Sequence, residues 1–236
     1  MPSKRDCYFR WDDKGWRIEV KDLDGMTDVL SILTFLQNPG RKIGIMGGGG
    51  AIGVYSSDLA YSLGLELPVF ADETQNKLSA ILPTPGASFA NPIDMAAPTS
   101  PLELVISLIR ETLKREPIDV TTRTFNHFNG LEVPSTEGYF EKLMAELLSL
   151  KAETGKDIVM VIQNRAHAAD HIDTESTYRR IRHQYLQKGI PVFASEKKAL
   201  EGINYSLTHQ KKIDIQEHQF EVQEPHKQFL QQRRVS

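Results

Sequence analysis

Cys7 is the only cysteine among 236 residues, which excludes an intrachain disulfide and any cysteine-rich metal site. Neither sign of charge dominates. Lys and Arg number 28 against 31 Asp and Glu, for a formal charge of −3, and the pI is near 6.2. Nothing in that balance marks a nucleic-acid binder or a polybasic membrane surface. The apolar runs are all far shorter than a bilayer crossing. The opening Met1-Pro2-Ser3-Lys4-Arg5-Asp6 is not a secretory signal. Together these absences point to a reduced, cytoplasmic setting. What is there, 40% apolar and 25% charged residues, suffices to bury one full core with appendages. No internal repeat is found.

Residues 42–208 alternate between strand and helix patterns. Apolar runs that read as strands are Lys42 to Gly47, Leu65 to Phe70, Ile118 to Phe125, Asp157 to Gln163 and Pro191 to Ala194. Helical patterns lie between them: Ala51 to Leu63, Glu73 to Leu82, Pro101 to Lys114, Gly138 to Lys151, Thr174 to Lys188 and Glu196 to Leu207. Asp72 precedes Glu73, and Ser195 precedes Glu196-Lys197-Lys198, as N-caps would. Short apolar strands separated by amphipathic helices predict an α/β domain with a doubly wound parallel sheet, flavodoxin-like, over residues 41–208. Each helix of such a fold returns the chain to the N-terminal edge of the sheet. The Pro83-to-Ser100 segment must then travel upward, with a short strand around Ala87 to Ala90, placing Asn91-Pro92-Ile93-Asp94 at the carboxyl edge. Residues 1–40 form an N-terminal extension, with a hairpin over residues 8–20 and a helix over Met26 to Gln37. Residues 209–236 read as a polar C-terminal tail.

The run Ile43-Gly44-Ile45-Met46-Gly47-Gly48-Gly49-Gly50-Ala51-Ile52-Gly53 carries most information. A strand, a glycine turn and a helix start aim backbone N–H groups and a positive dipole end at an anion, usually a phosphate. The candidate phosphate-binding residues are Gly47, Gly48, Gly49, Gly50 and Ala51. A Walker loop would end in Gly-Lys-Ser/Thr, whereas Gly50 is followed by Ala51-Ile52. Gly48-x-Gly50-x-x-Gly53 also has dinucleotide spacing, with Asp72 placed to bind the ribose of NAD(P), although an N-cap role suffices for Asp72. Close helix–sheet packing needs only one or two glycines. Four in succession cost about 0.5–1 kcal/mol each against alanine in regular structure, so close backbone approach to something is the better reason. A non-catalytic module for phosphate or nucleotide remains a further reading.

Several ordered motifs extend this one: Leu63-Gly64-Leu65-Glu66-Leu67-Pro68, Glu73-Thr74-Gln75-Asn76-Lys77-Leu78, Ile81-Leu82-Pro83, Asn91-Pro92-Ile93-Asp94 and Gly189-Ile190-Pro191-Val192-Phe193-Ala194-Ser195. Across residues 25–208 the chain resembles the C-terminal flavodoxin-like domain of NDP-forming acyl-CoA synthetases, the superfamily of succinyl-CoA synthetase and ADP-forming acetate–CoA ligase. That resemblance implies a ligase in which a small carboxylic acid, CoA and ATP give acyl-CoA, ADP and phosphate through a phosphohistidine held between two helix N-termini. Gly48, Gly49, Gly50 and Ala51 would supply one of them. A helix terminus contributes about 0.3–1 kcal/mol to holding an anion, ~2 when partly buried, against roughly 4 kcal/mol for millimolar affinity. With no cation in the loop, a second helix end or a covalent tether is required. No CoA-binding Rossmann domain precedes residue 40, and no ATP-grasp module or Ser-His-Thr-Gly-like phosphohistidine run is present. The resemblance therefore implies one subunit or fragment, binding no cofactor alone. A CoA-binding/phosphohistidine domain and an ATP-grasp subunit would be its partners, with CoA and Mg-ATP/ADP in the complete enzyme.

Other candidates follow strands and so reach the carboxyl edge: Asn126 and His127 after one, Asn164 and Arg165 after the next. Arg165 would supply the charge that the glycine loop lacks, and His127 a proton carrier; an exposed arginine and an idle loop histidine are the plainer alternatives. Asn91 and Asp94 would line the acyl or phosphate site, or Asp94 would cap its own turn. His167 and His171 have helical metal-pair spacing, but lack a Glu-containing motif or third ligand, so no metal is expected.

Overall fold

The structure, a computed structural model, describes residues 7–10, 17–20, 23–37, 40–47, 49–96, 101–126, 136–163 and 172–220. Strands β1 (Cys7–Arg10) and β2 (Arg17–Val20) form an antiparallel hairpin, followed by helix α1 (Leu23–Phe35). The rest runs β3 (Ile43–Gly47), α2 (Gly50–Ser62), α3 (Asp72–Ile81), β4 (Ile93–Asp94), α4 (Leu102–Arg115), β5 (Val120–Asn126), α5 (Thr136–Thr154), β6 (Asp157–Gln163), α6 (Ile172–Gln187), β7 (Val192–Phe193) and α7 (Glu196–Phe220). Among the described residues, no helix is long and apolar enough to cross a membrane.

The five-stranded sheet has the order β4-β3-β5-β6-β7, and every neighbouring pair is parallel. This is the flavodoxin-like doubly wound order. Its cause is legible in β6, where all seven residues are buried. Ile158, Met160 and Ile162 face one core with Leu108 of α4, Leu143 of α5 and Ile181 of α6. Val159 and Val161 face the other, with Ile32 of α1, Ala60 of α2 and Leu200 of α7. A strand apolar on both faces is stable only when helices cover both.

Helix α1 seats on α7. A Cβ on Gly202 would lie 2.8 Å from Ile32 Cγ1, and Lys198 pairs with Asp28 at 3.4 Å. Helix α7 continues to Phe220 rather than ending near Leu207, so part of the expected tail is helical.

The outer edge of β3 departs from expectation. Leu65 to Phe70 was expected to be a strand, yet only Glu66 pairs there, bridging Lys42. The Ile43 amide donates to Glu66 O at 2.8 Å. The chain then turns away along the bottom of the sheet. The Ala71 amide bonds the Glu116 carboxylate at the foot of α4 (3.2 Å), Glu73 pairs with Arg115 at 3.0 Å, and Lys77 with Glu111 at 3.3 Å. These contacts make α3 antiparallel to α4, so α3 itself climbs and does not return to the lower edge. Nor does the Ala87-to-Ala90 strand form: Ser88 runs antiparallel to Asp94, exchanging two 2.8 Å hydrogen bonds. The short strand is Ile93–Asp94, beside Met46 and Gly47.

Between Glu66 and Ile93, the Asn91 side chain completes the edge. Its Nδ2 donates to Ile43 O and to Pro68 O, and its Oδ1 accepts from the Ile45 amide, each at 3.0 Å. One carboxamide thus replaces the backbone of a missing strand residue. Asn91→Ala strands three backbone groups, and at about 1 kcal/mol for each hydrogen bond we expect roughly 3 kcal/mol lost in urea denaturation. Gly202→Val is expected to cost about 1–3 kcal/mol by overpacking, through loss of the α1–α7 contact and not of the sheet.

Candidate functional site

In an open parallel sheet the ligand crevice lies at the carboxyl ends of the strands, where the strand order reverses. Here that point is the end of β3, between β4 and β5. Gly49 is the N-cap of α2, with φ 123° and ψ 135°, a conformation that only glycine adopts without strain. Lacking a side chain, Gly49 cannot cap the helix itself, and Asp94 stands in. Its Oδ1 accepts the Gly49 amide at 3.0 Å and the Ala96 amide at 2.9 Å. A carboxylate thus already sits against the positive start of α2. Asp94 Oδ2 also lies 3.4 Å from where a Gly50 Cβ would be. The next two amides, of Gly50 and Ala51, have no acceptor among the described residues. Gly53 has a different role: its open side lets Pro92 approach to 3.5 Å from its Cβ position.

A cavity of about 390 Å³ opens on the other side of the α2 start. It is lined by Ala51, Ile52 and Tyr55 of α2, Gln163 at the end of β6, Ala194 and Ser195 after β7, and Glu196 at the start of α7. Ser195 caps α7 as expected, its Oγ accepting the Lys198 amide at 3.3 Å. Two helix first turns therefore border one cavity.

Two charged groups lie beneath this surface. Glu196 is 1% exposed, and neither carboxyl oxygen has a hydrogen-bond partner among the described residues. Burial pushes its carboxyl up to about 7, and nearby Arg123 pulls the other way. Arg123, on β5, is also buried. Its Nη1 donates to Thr124 O at 2.6 Å and to Met46 O at 3.4 Å. Desolvation draws the guanidinium down to about 10, opposed by Tyr139 and Glu196. Sequence reasoning missed both residues. Arg123 had a signal, a lone charge inside the strand run Val120-Thr121-Thr122-Arg123-Thr124. Glu196 looked like an ordinary acidic residue in a first turn.

The structure brings Gly49, Gly50, Ala51 and Asp94 together at the head of the β3–β4 pair. Gly47 ends β3, fully enclosed. Asn91 turns its amide onto the edge of β3 and onto Pro68, away from the crevice. Asn126 ends β5, in register with Gln163 on β6. Gly48, His127, Asn164, Arg165, His167 and His171 lie outside the described residues. Asp72 is the first residue of α3, after Ala71 as N-cap, and makes no side-chain cap bond. It sits at the opposite edge of the sheet from the glycine loop, beside the foot of α4. That separation corrects the dinucleotide reading, which requires Asp72 near the loop to reach a ribose.

No protein-family model and no curated protein matches the chain. Solved structures do. The crystal structure of PH0766 from Pyrococcus horikoshii OT3 superposes with a TM-score of 0.62 at 19% identity, over 82% of this chain and 41% of that one. The apo form of the dinucleotide forming acetyl-coenzyme A synthetase 1 of Ca. Korarchaeum cryptofilum gives 0.60 at 17% identity, over 81% and 38%. The same enzyme in complex with phosphate and ADP gives equal values. The likeness establishes the α/β fold, and the chain spans about two fifths of the length of these proteins.

The buried Glu196 sets a pH dependence of stability. Burial pushes its carboxyl from the ordinary 4.5 up to about 7. The native state therefore binds the extra proton, and stability falls as pH rises from 4.5 through about 7. Glu196→Gln should remove that slope, so that its stability relative to the wild type is roughly 3 kcal/mol higher at alkaline pH than at acid pH, read from urea midpoints measured across the range.

Proposed function

We propose that the chain is one component of an NDP-forming acyl-CoA ligase. The observation that carries this reading is the likeness of about four fifths of the chain to part of an acetyl-coenzyme A synthetase, joined to a helix N-terminus at the switch point of the sheet with two amides that have no acceptor among the described residues. In this reading, a phosphohistidine from a CoA-binding partner domain docks against the Gly50 and Ala51 amides. The Gly49 amide is held by Asp94 and positions the loop instead of the phosphate. Asn126 ends β5 and His127 follows it in the sequence, as Asn164 and Arg165 follow β6; in this reading Arg165 supplies the positive charge absent from the loop. CoA, Mg-ATP and a small carboxylic acid bind the assembled cytoplasmic enzyme, the nucleotide on an ATP-grasp subunit.

The phosphoryl group is a dianion for much of its cycle, and one helix end holds it weakly. Covalent delivery on a histidine removes the need for independent affinity, which suits a loop without lysine or arginine. The test is reconstitution from purified chain, a CoA-binding/phosphohistidine chain and an ATP-grasp subunit. ADP formation that depends on acid and CoA should arise only in the complete mixture. Gly50→Val, whose side chain would crowd the amides, should lower kcat by about 10²-fold with an unchanged melting curve. Full turnover by that variant would remove the loop from the mechanism, and a mixture that stays inactive whatever acid is supplied would refute the ligase reading.

A further inference from the structure

We propose that the outward face of α2 is the docking surface for the chain that delivers the phosphohistidine, met by an apolar helix that carries a lysine or arginine opposite Asp58. The proposal rests on the ligase reading for the identity of the partner. The place and the chemistry come from α2 itself.

The starting point is a helix with few charges for its position. Gly50–Ser62 contains one charged residue, Asp58, and no lysine, arginine or glutamate. A surface helix ordinarily turns a charged face to water, and one that is apolar all round is ordinarily covered. The inward side of α2 has its partners. Ser56 and Ala60 are buried, Ala60 joins the cluster that holds Ile45 and Leu200, and Gly53 lies against Pro92. Outward, at the i, i+3, i+4, i+7 and i+10 spacing of one helix face, come Ala51, Val54, Tyr55, Asp58 and Tyr61. Val54 is 65% exposed, Tyr55 50% and Tyr61 86%. Single exposed apolar residues are ordinary, whereas a contiguous stripe of them marks an interaction site.

The stripe has a recess at its upper end. Ala51 and Tyr55 also wall the cavity of about 390 Å³, together with Ile52, Gln163, Ala194 and Ser195. Glu196 borders it too, but its carboxyl oxygens are inaccessible. The open wall therefore presents no carboxylate, lysine or arginine. An interface core has this make-up: charged residues are depleted, tyrosine is enriched, and the strongest contacts fill pockets.

Three observations choose the occupant. Ala51, where the stripe begins, owns one of the two amides to which the ligase reading brings the phosphoryl group, so the delivering chain passes over this turn. From there the stripe runs on for about three turns of helix, on the order of 15 Å, and the same chain meets it next. The present chain spans about two fifths of the length of the solved structures that share its fold, so in them the fold is accompanied by further polypeptide. Charge gives the third. Asp58 is exposed near the middle of the stripe and has no ion-pair partner among the described residues, so a complementary face brings a cation. The same residue argues against a second copy of this chain. Two α2 helices paired antiparallel about the centre of the stripe would set each Asp58 against Val54 of the other copy, a carboxylate desolvated with no cation on either helix.

The experiment measures association of the full chain with the purified CoA-binding/phosphohistidine chain by calorimetry, beside turnover in the reconstituted mixture. Tyr61→Ala and Val54→Ala should each weaken Kd about tenfold. Their kcat at saturating partner should match the wild type, because neither side chain touches the phosphate. Asp58→Lys should weaken Kd by about tenfold and reduce the salt dependence of binding. Arg179→Ala, exposed on α6 across the sheet, should change neither quantity. As a check independent of any variant, hydroxyl-radical labelling of Tyr55 and Tyr61 in the wild type should fall when the partner is added. No association of the wild-type chains, an unchanged Kd in Tyr61→Ala and Val54→Ala, or unchanged labelling would overturn the proposal. So would a dimer of the chain alone that those two variants dissolve. The two readings fail separately. An active mixture in which both variants behave as wild type removes the surface and keeps the ligase. An inactive mixture whose chains still bind through Val54 and Tyr61 removes the ligase and keeps the surface.

Discussion

The Asn91 carboxamide is the contact from which the functional edge of this fold is built. A parallel sheet of the 2-1-3-4-5 type needs a second strand along β3. Here that place is shared by Glu66 below and Ile93–Asp94 above. The gap between them exposes Ile43 O and the Ile45 amide, which Asn91 satisfies while also holding Pro68 O. Because β4 starts two residues after Asn91, that anchorage fixes where Asp94 emerges, and Asp94 in turn holds the Gly49 amide at the head of α2. Glycine-loop geometry is thus set by an amide 42 positions away in sequence from Gly49 and at mid-height on the sheet.

The head of α2 is where opposing electrostatic demands meet. A helix start attracts anions, and the fold meets part of that demand internally with Asp94. Ala51 of the same helix start also borders the cavity that α7 lines, and Glu196 and Arg123 are buried within each other's field. A buried pair of this kind is weak evidence for stability and better evidence for a site. The arrangement separates two tasks: Asp94 shapes the loop, and the Glu196 side contains the space.

Much of this was legible in sequence because β3 and β6 are apolar on both faces and α4 carries a clear apolar periodicity. Ser195 announced the start of α7 and does cap it. The failures have specific causes. Leu65 to Phe70 is apolar enough for a strand, yet Pro68 and the turn after Phe70 divert it along the lower edge, so α3 starts there and climbs. Asp72 looked like a cap because cap and first-turn acids share composition, but Ala71 holds that position. Asn91 read as a site residue because a side chain replacing a strand leaves no periodic trace. Glu196 and Arg123 meet only in three dimensions, since 73 positions of chain separate the two residues.

The seat of α1 on α7 bears on how the polypeptide is divided. Ile32 enters the same apolar cluster as Ile43, Val159 and Leu200, and it approaches the bare backbone at Gly202. A boundary drawn at residue 41 on repeat of the strand–helix pattern would therefore cut through a shared core. Trimming the gene there would leave an oily trench along α7, and the shortened product would be prone to self-association. The amino-terminal helix is better regarded as the eaves of the same roof.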